Sequence, residues 1–318
     1  ILAVGTRLQD FTTGSWTAFA GDAQLIGLNA ATFAAVKHRS LPVVADALEG
    51  LRELDLGLAG WVADEDWVLR AKNATADYHT YIDGLADPSA VGASGRPTYA
   101  QVIGAVDRSQ QAGDYVLAAA GGLPAELVNG WRSKEVGDFD CEYGFSCMGY
   151  EISGAWGAKM ARPDDEVIVF VGDGSYMMMN SDLYSSVLSG HKLIVIVCDN
   201  GGFAVINRLQ VNQGGEPFNN LFENARHHEL VYVDFAAHAA AMGCNSERVG
   251  TVHELEGALA RARHSDRTTV IALHTDAYSW TGGGAFWEVG VPEVSDRPQV
   301  QAAKAAMVLG KRQQRIGT

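Results

Sequence analysis

Two apolar runs separated by one helical stretch constrain the fold of this chain more than any other feature. The runs are residues 167–171 and 193–197, with sequences VIVFV and LIVIV. Uninterrupted runs rich in β-branched residues are typical of parallel strands that are covered on both faces. Residues 175–188 between them have helical spacing, so the sequence predicts a β-α-β unit. Ligands of open α/β sheets bind outside the carboxyl ends of such strands.

Glycines and polar side chains follow both predicted strands. Gly172-Asp173-Gly174 follows the first run, and Asn200-Gly201-Gly202 follows the second. Glycines allow a ligand to approach the backbone, and the N–H groups that begin a helix favour phosphate. A carboxylate beside such a loop is explained if a cation lies between carboxylate and phosphate, as Mg²⁺ commonly does. A tight strand-to-helix turn is the alternative interpretation of Gly-Asp-Gly when it occurs alone.

The spacing of these motifs matches a known signature. Between Gly174 and Asn200 lie 25 residues, Ser175 through Asp199. The chain therefore resembles the thiamine diphosphate enzymes, in which Gly-Asp-Gly and Asn occur at this spacing. The resemblance implies that Asp173, the Asn200 side chain and the Gly202 carbonyl hold Mg²⁺, which in turn binds the diphosphate of the cofactor.

Further cofactor contacts are predicted in three other segments. Gly121 and Gly122 precede Pro124 in a predicted strand-to-helix turn that lines the diphosphate pocket. The resemblance assigns Met148 to the bulky apolar residue under the cofactor and the Ser146 carbonyl to an acceptor for its aminopyrimidine, although a plain core methionine is the alternative for Met148. The remaining predicted cofactor contacts are Cys147, Gly172, Gly174, Ser175 and Phe203.

Composition excludes several other classes of protein. The chain has 318 residues and a net charge of −14, which disfavours a nucleic-acid or an anionic-membrane partner. No apolar run has the length of a membrane span, and no signal peptide is recognisable. The four cysteines contain no CxxC pair, which indicates buried free thiols in a reducing compartment. We therefore expect a cytoplasmic enzyme.

The fold class predicted is α/β, with a doubly wound parallel sheet preceded by part of a smaller α/β domain. Residues 1–83 contain two predicted strands (1–5 and 24–28) and a helix at 42–54, which is too little for a complete sheet. They are interpreted as the remnant of a central domain in a longer polypeptide. Residues 84–97 are rich in Gly, Pro, Ser and Asp and are predicted as a linker, 98–290 as the domain that binds diphosphate and Mg²⁺, and 291–318 as a helical tail.

A long polar segment is predicted to close over the substrate. Residues 205–223 follow the metal loop and are interpreted as a mobile loop. Asn207 and Gln210 are its predicted substrate contacts.

Five stretches resemble the trihydroxycyclohexane-1,2-dione hydrolases of myo-inositol catabolism. They are VGTRLQDFTTGSW (4–16), GRPTYAQVIGAV (95–106), EYGFSCMGYEISG (142–154), GDGSYMMMNSDL (172–183) and FWEVGVPEVSDRP (286–298). The resemblance covers the later half of such enzymes. It implies hydrolysis of the carbon–carbon bond between the two carbonyls of a cyclic 1,2-diketone, giving 5-deoxy-glucuronate from the trihydroxy dione.

The same resemblance places part of the active site elsewhere. The glutamate that activates the cofactor would lie outside this chain, on a pyrimidine-binding domain of the same polypeptide or of a second subunit. A homodimer or homotetramer is therefore expected, and the 318 residues alone should bind Mg²⁺ and diphosphate weakly without turnover.

Other functions stay open at this point. A carboligase or decarboxylase of the acetolactate synthase type acting on 2-oxo acids, or a cyclohexane-1,2-dione hydrolase, would share the metal loop. A non-enzymatic α/β module with a vestigial phosphate loop is a third alternative, which the intact Asp173 and Asn200 disfavour. A dinucleotide-binding domain is excluded because no GxGxxG follows a predicted strand.

Overall fold

The computed structural model describes residues 1–142 and 144–315. Tyr143 and the last three residues of the predicted 291–318 tail lie outside the described residues. The chain forms two compact units, one made of Ile1–Ala74, Asn212–Gly215 and Gly282–Thr318, the other of Thr75–Val211 and Glu216–Thr281. The sequence analysis predicted a linker at residues 84–97 and a separate helical tail at 291–318. That functional division stays a prediction.

The first unit contains a small parallel sheet. Its elements are β1 (Leu2–Val4), α1 (Asp10–Thr13), β2 (Ile26–Leu28), α2 (Thr32–Ala35), β3 (Leu41–Val43) and α3 (Ala47–Gly57). The strands pair in the order β1-β2-β3. Helix α4 (Glu65–Ala86) follows, so the first three residues of the predicted linker are helical.

The second unit is built on a six-stranded sheet with helices between its strands. Its elements are α5 (Tyr99–Arg108), β4 (Asp114–Ala118), α6 (Leu123–Gly130), β5 (Phe139–Cys141), α7 (Tyr150–Ala161), β6 (Glu166–Gly172), α8 (Asp173–Met179), α9 (Ser181–Ser189), β7 (Ile194–Asp199), α10 (Ala204–Asn212, whose last residue belongs to the first unit), α11 (Phe235–Ala241), β8 (Asn245–Val249), α12 (Val252–Arg263) and β9 (Thr269–His274). The last helix of the chain, α13 (Pro298–Lys311), belongs to the first unit.

All strand pairs of the larger sheet are parallel, in the order β5-β4-β6-β7-β9-β8. The chain runs outward from β4 to β5 and then returns to β6 on the other side of β4. This reversal creates a topological switch point between β4 and β6, which is where open α/β sheets form a ligand crevice. The register pairs Gly172 with Cys198, so the residues that follow β6 and β7 emerge at the same edge.

Both faces of this sheet are buried, as the apolar runs predicted. Within β6, Ile168 and Phe170 pack with residues of α5, α6 and α12, whereas Val167, Val169 and Val171 pack with residues of α7, α8 and α11. All five are fully buried. The predicted doubly wound parallel α/β fold is confirmed.

Three local predictions need correction, and two strands were missed. The helix predicted at 175–188 is two helices, α8 and α9, separated at Asn180. The helix predicted from residue 42 begins at Ala47, because Leu41–Val43 forms a strand and the Asp46 carboxylate accepts from the N–H groups that start the helix. The loop predicted at 205–223 begins as helix α10. Strands β5 and β8 were not predicted.

A buried ion pair links helix α12 to strand β4 in the second unit. Arg263 at the end of α12 donates two hydrogen bonds of 2.7 Å to the two carboxylate oxygens of Asp114 at the start of β4. The Asp114 side chain is 1% exposed. Every helix in residues 1–142 and 144–315 is too short or too polar to cross a bilayer.

Removing one partner of this pair should destabilise the unit strongly. Arg263→Gln leaves a buried carboxylate without its cation, and we expect the free energy of unfolding to fall by about 3–5 kcal/mol. Arg261→Gln is the matched control, since Arg261 lies on the same helix as Arg263 and pairs with Glu247 of β8, but its side chain is 62% exposed. We expect a loss below about 1 kcal/mol. Urea unfolding of both variants measures the difference, and equal losses would contradict the argument.

Candidate cofactor and metal site

A cavity of about 200 Å³ opens at the switch point between β4 and β6. Its walls come from five segments: the first turn of α5, the turn before α6, the loop before α7, the start of α8, and the loop between β7 and α10 with the first turn of that helix. Eleven of the twelve predicted cofactor contacts line it: Gly121, Gly122, Ser146, Met148, Gly172, Asp173, Gly174, Ser175, Asn200, Gly202 and Phe203. The remaining one, Cys147, is exposed, and its N–H donates to the Glu142 carboxylate outside the cavity.

Asp173 presents a buried carboxylate to this cavity. The residue begins α8 and is 5% exposed. Its Oδ2 atom accepts a hydrogen bond of 2.8 Å from the Gly202 N–H. Burial, and then the nearby Asp199 carboxylate, raise the pKa of Asp173 to about 7 despite N–H donors from Gly202 and Gly174. A carboxylate in such surroundings gains more from a bound cation than an exposed one does.

Asn200 supplies an oxygen with no partner among the described residues. Its Nδ2 atom donates to the Tyr99 hydroxyl at 2.5 Å. Its Oδ1 atom is buried and accepts no hydrogen bond within the described parts of the chain. A buried acceptor left in this state costs about 1–3 kcal/mol, and a metal ion would satisfy it. This orphaned oxygen fits the predicted ligand set.

The loop after β7 depends on a glycine at position 202. Gly202 has φ +137°, and a Cβ there would overlap the carbonyl oxygen of Asn220. The same stretch pairs with Leu221 in an isolated antiparallel bridge, and the Phe203 N–H donates to Asn220 at 2.7 Å. This close approach holds the Gly202 N–H against Asp173, and only glycine allows it.

Two apolar side chains lie over Gly174, in the first turn of α8. A Cβ at Gly174 would lie 2.7 Å from Cε1 of Phe203 and 3.2 Å from Cε of Met148. Met148 is half-buried and faces the cavity, so it is not a plain core methionine. Its proposed place under the cofactor stays a prediction.

The loop before α7 is held in an unusual conformation. Ser146 has φ +53°, which a non-glycine residue adopts rarely, and its hydroxyl donates to the Ala119 carbonyl at 3.3 Å. The loop is thereby tied to the turn that contains Gly121 and Gly122.

The two predicted substrate contacts do not line the cavity. Asn207 lies on α10 and is 5% exposed, with its Oδ1 atom unpartnered among the described residues. Gln210 is engaged by its own loop, because its Oε1 accepts from the Asn220 amide at 2.5 Å and its Nε2 donates to the Glu216 carbonyl. Both residues lie on a helix where a loop was predicted, and their substrate role stays a prediction.

Glu151 is a buried carboxylate that the sequence analysis missed. It is 1% exposed, and its two oxygens accept from the Ala120 N–H at 3.1 Å and the Gly149 N–H at 2.9 Å. The Ser175 hydroxyl also hydrogen-bonds to it, and burial raises its pKa. One side chain thus connects three of the segments that form the cavity. A glutamate within an otherwise apolar, glycine-rich helix start was the available signal.

Tyr99 is the other missed residue, and it contacts Asn200 directly. It lines the cavity from the first turn of α5. Within the described ranges, no group of three or more His, Cys, Asp or Glu side chains is arranged to hold a metal ion. A metal here would therefore rely on Asp173 together with amide and carbonyl oxygens, which suits Mg²⁺ better than a transition metal.

The raised pKa of Glu151 predicts how pH acts on stability. The group contributes stability below its ordinary pKa of 4.5, and that contribution is lost as pH rises through the raised value. Glu151→Gln has no such titration, so we expect the variant to gain stability relative to the parent chain as pH rises. Urea unfolding at several pH values checks this, with the exposed Glu229→Gln as control. A difference that does not change with pH would contradict it.

Comparison with known proteins agrees with this geometry. Over 328 residues the chain is 34% identical to the 3D-(3,5/4)-trihydroxycyclohexane-1,2-dione hydrolase of Geobacillus thermodenitrificans, covering 95% of this chain and 51% of that protein. It is 35% identical over 337 residues to hydrolase 2 of the same name from Bacillus cereus, covering 97% and 52%. The chain thus spans about half the length of these relatives, and the predicted resemblance is confirmed.

A solved structure and a family description complete the comparison. The fold is similar to that of the thiamine diphosphate-dependent 4-hydroxybenzoylformate decarboxylase of Rhodococcus jostii RHA1, with a TM-score of 0.63 and 18% identity over 81% of this chain and 45% of that one. Residues 119–273 match the family described as thiamine pyrophosphate enzyme, C-terminal TPP binding domain. Residues 119–273 of this chain therefore form a C-terminal TPP binding domain of the kind found in thiamine pyrophosphate enzymes.

Proposed function

We propose that the cavity at the switch point binds thiamine diphosphate through Mg²⁺, and that the complete polypeptide hydrolyses a carbon–carbon bond of a cyclic 1,2-diketone. The observation that carries the binding proposal is the orphaned Asn200 oxygen, which lines the same cavity as the buried Asp173 carboxylate. Burying a carboxylate and an acceptor without a hydrogen-bond partner costs free energy, and an ion bound by both would offset that cost.

The residues present suit the cofactor's charged end. Asp173, Asn200 and the Gly202 carbonyl would hold Mg²⁺. Gly121 and Gly122 precede the first turn of α6, whose N–H groups suit a diphosphate. When bound, the cofactor would supply the electron sink for breaking a bond beside a carbonyl.

The other residues of the cavity would orient and shield the organic part. Met148 and Phe203 give an apolar wall beside Gly174. The Ser146 backbone would offer its carbonyl to the aminopyrimidine. Three further proposed contacts lie outside the cavity wall: Cys147, Asn207 and Gln210. A structure with bound substrate would test their roles.

The choice of substrate rests on the relatives. Two proteins that are identical to this chain at about a third of the aligned positions, over 95% or more of its length, are named as hydrolases of a trihydroxycyclohexane-1,2-dione. We infer the same substrate class here, with 5-deoxy-glucuronate as product. A cyclohexane-1,2-dione hydrolase and an acetolactate synthase-like enzyme acting on 2-oxo acids are the alternatives. The similarity to a decarboxylase structure bears on the fold alone, because identity is 18%.

Completion of the active site would need groups beyond this chain. We propose that a glutamate of a pyrimidine-binding domain, in the same polypeptide or a second subunit, activates the cofactor. A homodimer or homotetramer in the cytoplasm is the arrangement that this proposal implies, with neither nucleic acid nor membrane as a partner. The 318 residues by themselves would then lack turnover.

Loss of either predicted metal ligand should abolish cofactor binding. In the complete polypeptide we expect Asp173→Ala and Asn200→Ala to weaken binding of thiamine diphosphate at saturating Mg²⁺ by about 100-fold or more, because ligand loss exceeds the effect of an outer-shell change. Isothermal titration calorimetry measures the affinity. Asp266→Ala, an exposed carboxylate after α12, should bind as the parent does. Unchanged affinity in Asp173→Ala would rule out the proposed metal site.

Product analysis separates the three candidate activities. We expect the complete polypeptide with thiamine diphosphate and Mg²⁺ to convert the trihydroxy dione into one ring-opened aldehydo acid. It should release neither CO₂ nor a ligated hydroxyketone from pyruvate. Mass spectrometry of parallel reactions, including one with unsubstituted cyclohexane-1,2-dione, reports the outcome. Faster turnover of pyruvate than of either dione would replace the hydrolase proposal with the synthase alternative.

A further inference from the structure

Tyr99 is placed rigidly at the border of the metal and diphosphate segments. It is the first residue of α5, directly after the Thr98 cap. A capping box joins Thr98 and Gln101, and the Gln101 amide donates to the carbonyls of Asp87 at 2.8 Å and Ala90 at 2.7 Å. A helix start secured on both sides gives the Tyr99 hydroxyl a defined position.

The Tyr99 hydroxyl holds the nitrogen end of the Asn200 amide. Asn200 donates from Nδ2 to this hydroxyl at 2.5 Å, which leaves Oδ1 as the buried atom without a partner among the described residues. The opposite orientation would turn the NH₂ group toward the cavity, and its hydrogens would repel a cation. A side-chain amide has two unlike ends, so a neighbour that accepts from its nitrogen leaves its oxygen free for a ligand.

We propose that Tyr99 is a positioning residue for the metal site: its hydroxyl accepts from the Asn200 amide nitrogen and so presents the amide oxygen to Mg²⁺. This inference rests on the proposed function only in requiring that the cavity binds Mg²⁺. Tyr99 would not touch the metal; it would fix the orientation of a residue that does.

The ring of Tyr99 also reaches the diphosphate turn. A Cβ at Gly122 would lie 3.3 Å from Cε2 of Tyr99, so the ring packs directly against that glycine. The ring belongs to the partly buried residues that pack on the core formed by α5, α6 and the sheet. One side chain therefore fixes Asn200 relative to the turn that precedes α6.

The first test is Tyr99→Phe in the complete polypeptide. This change removes the hydroxyl and keeps the ring, so packing against Gly122 is preserved. We expect the dissociation constant for Mg²⁺, measured by calorimetry at saturating thiamine diphosphate, to rise about 10- to 100-fold, as for other outer-shell changes. Tyr115→Phe is the matched control, since it removes a half-buried hydroxyl that bonds Asp140 on β5 and should leave the Mg²⁺ affinity unchanged.

A second background distinguishes orientation from packing. Asn200→Asp places two equivalent oxygens at this position, and a carboxylate has no wrong end to present. In that background we expect Tyr99→Phe to change the Mg²⁺ affinity by less than about threefold. A loss of similar size in both backgrounds would show that Tyr99 acts through packing and would overturn the inference.

The outcomes also separate this inference from the proposed function. If the parent polypeptide binds Mg²⁺ and Tyr99→Phe binds it equally well, the inference is wrong and the proposed function stands. If the parent polypeptide itself binds no Mg²⁺ with thiamine diphosphate, the metal site is wrong and both fall together. A selective loss in Tyr99→Phe that Asn200→Asp suppresses supports the inference.

Discussion

The in-register parallel pairing of β6 with β7 is the constraint on which the site depends. It sets Gly172 opposite Cys198, so that Asp173 and Asn200 leave the sheet at one edge, one residue and two residues beyond this pair. A shift of register by one residue would turn every side chain of a strand to the opposite face. The alternating burial of Val167–Val171 against two different helix layers makes such a shift costly, because it would require both layers to repack. The hydrophobic core therefore fixes the geometry of the polar site at its edge.

The central part of the fold could be predicted because its signal is local and strong. The two apolar runs predicted β6 and β7. Because apolar and polar residues do not alternate in these runs, they also predicted a sheet covered on both faces. Strand β8 reads NSERV and lies at the sheet edge, half exposed, so it offers no comparable run. Helix α10 contains Asn, Arg and Gln on a short amphipathic stretch that resembles a polar loop. The break between α8 and α9 falls at Asn180, where tertiary packing overrides a continuous helical pattern.

The site divides in the same way between local and distant information. The glycines and Asp173 were identifiable because strand ends and turn residues mark them in sequence. Tyr99 and Glu151 were not, since their partners are remote: Tyr99 meets Asn200 across 101 positions, and Glu151 meets Ala120 across 31. Which polar side chains are buried becomes known only from the fold, so the sequence alone does not mark these residues. Cys147 shows the converse, because its neighbours in sequence line the cavity while its own side chain points to solvent.

Buried polar groups at this edge make the site costly to maintain without a ligand. Asp173 is held in surroundings that raise its pKa to about 7, and the Asn200 oxygen is desolvated without a described partner. Gly202 gives up conformational freedom to bring its N–H to Asp173. Each of these features opposes folding, and the proposed Mg²⁺ would offset the cost of the two buried oxygens. Because a ligand that binds only the folded state stabilises it by mass action, an ion bound by Asp173 and Asn200 would gain affinity from the cost of burying their oxygens.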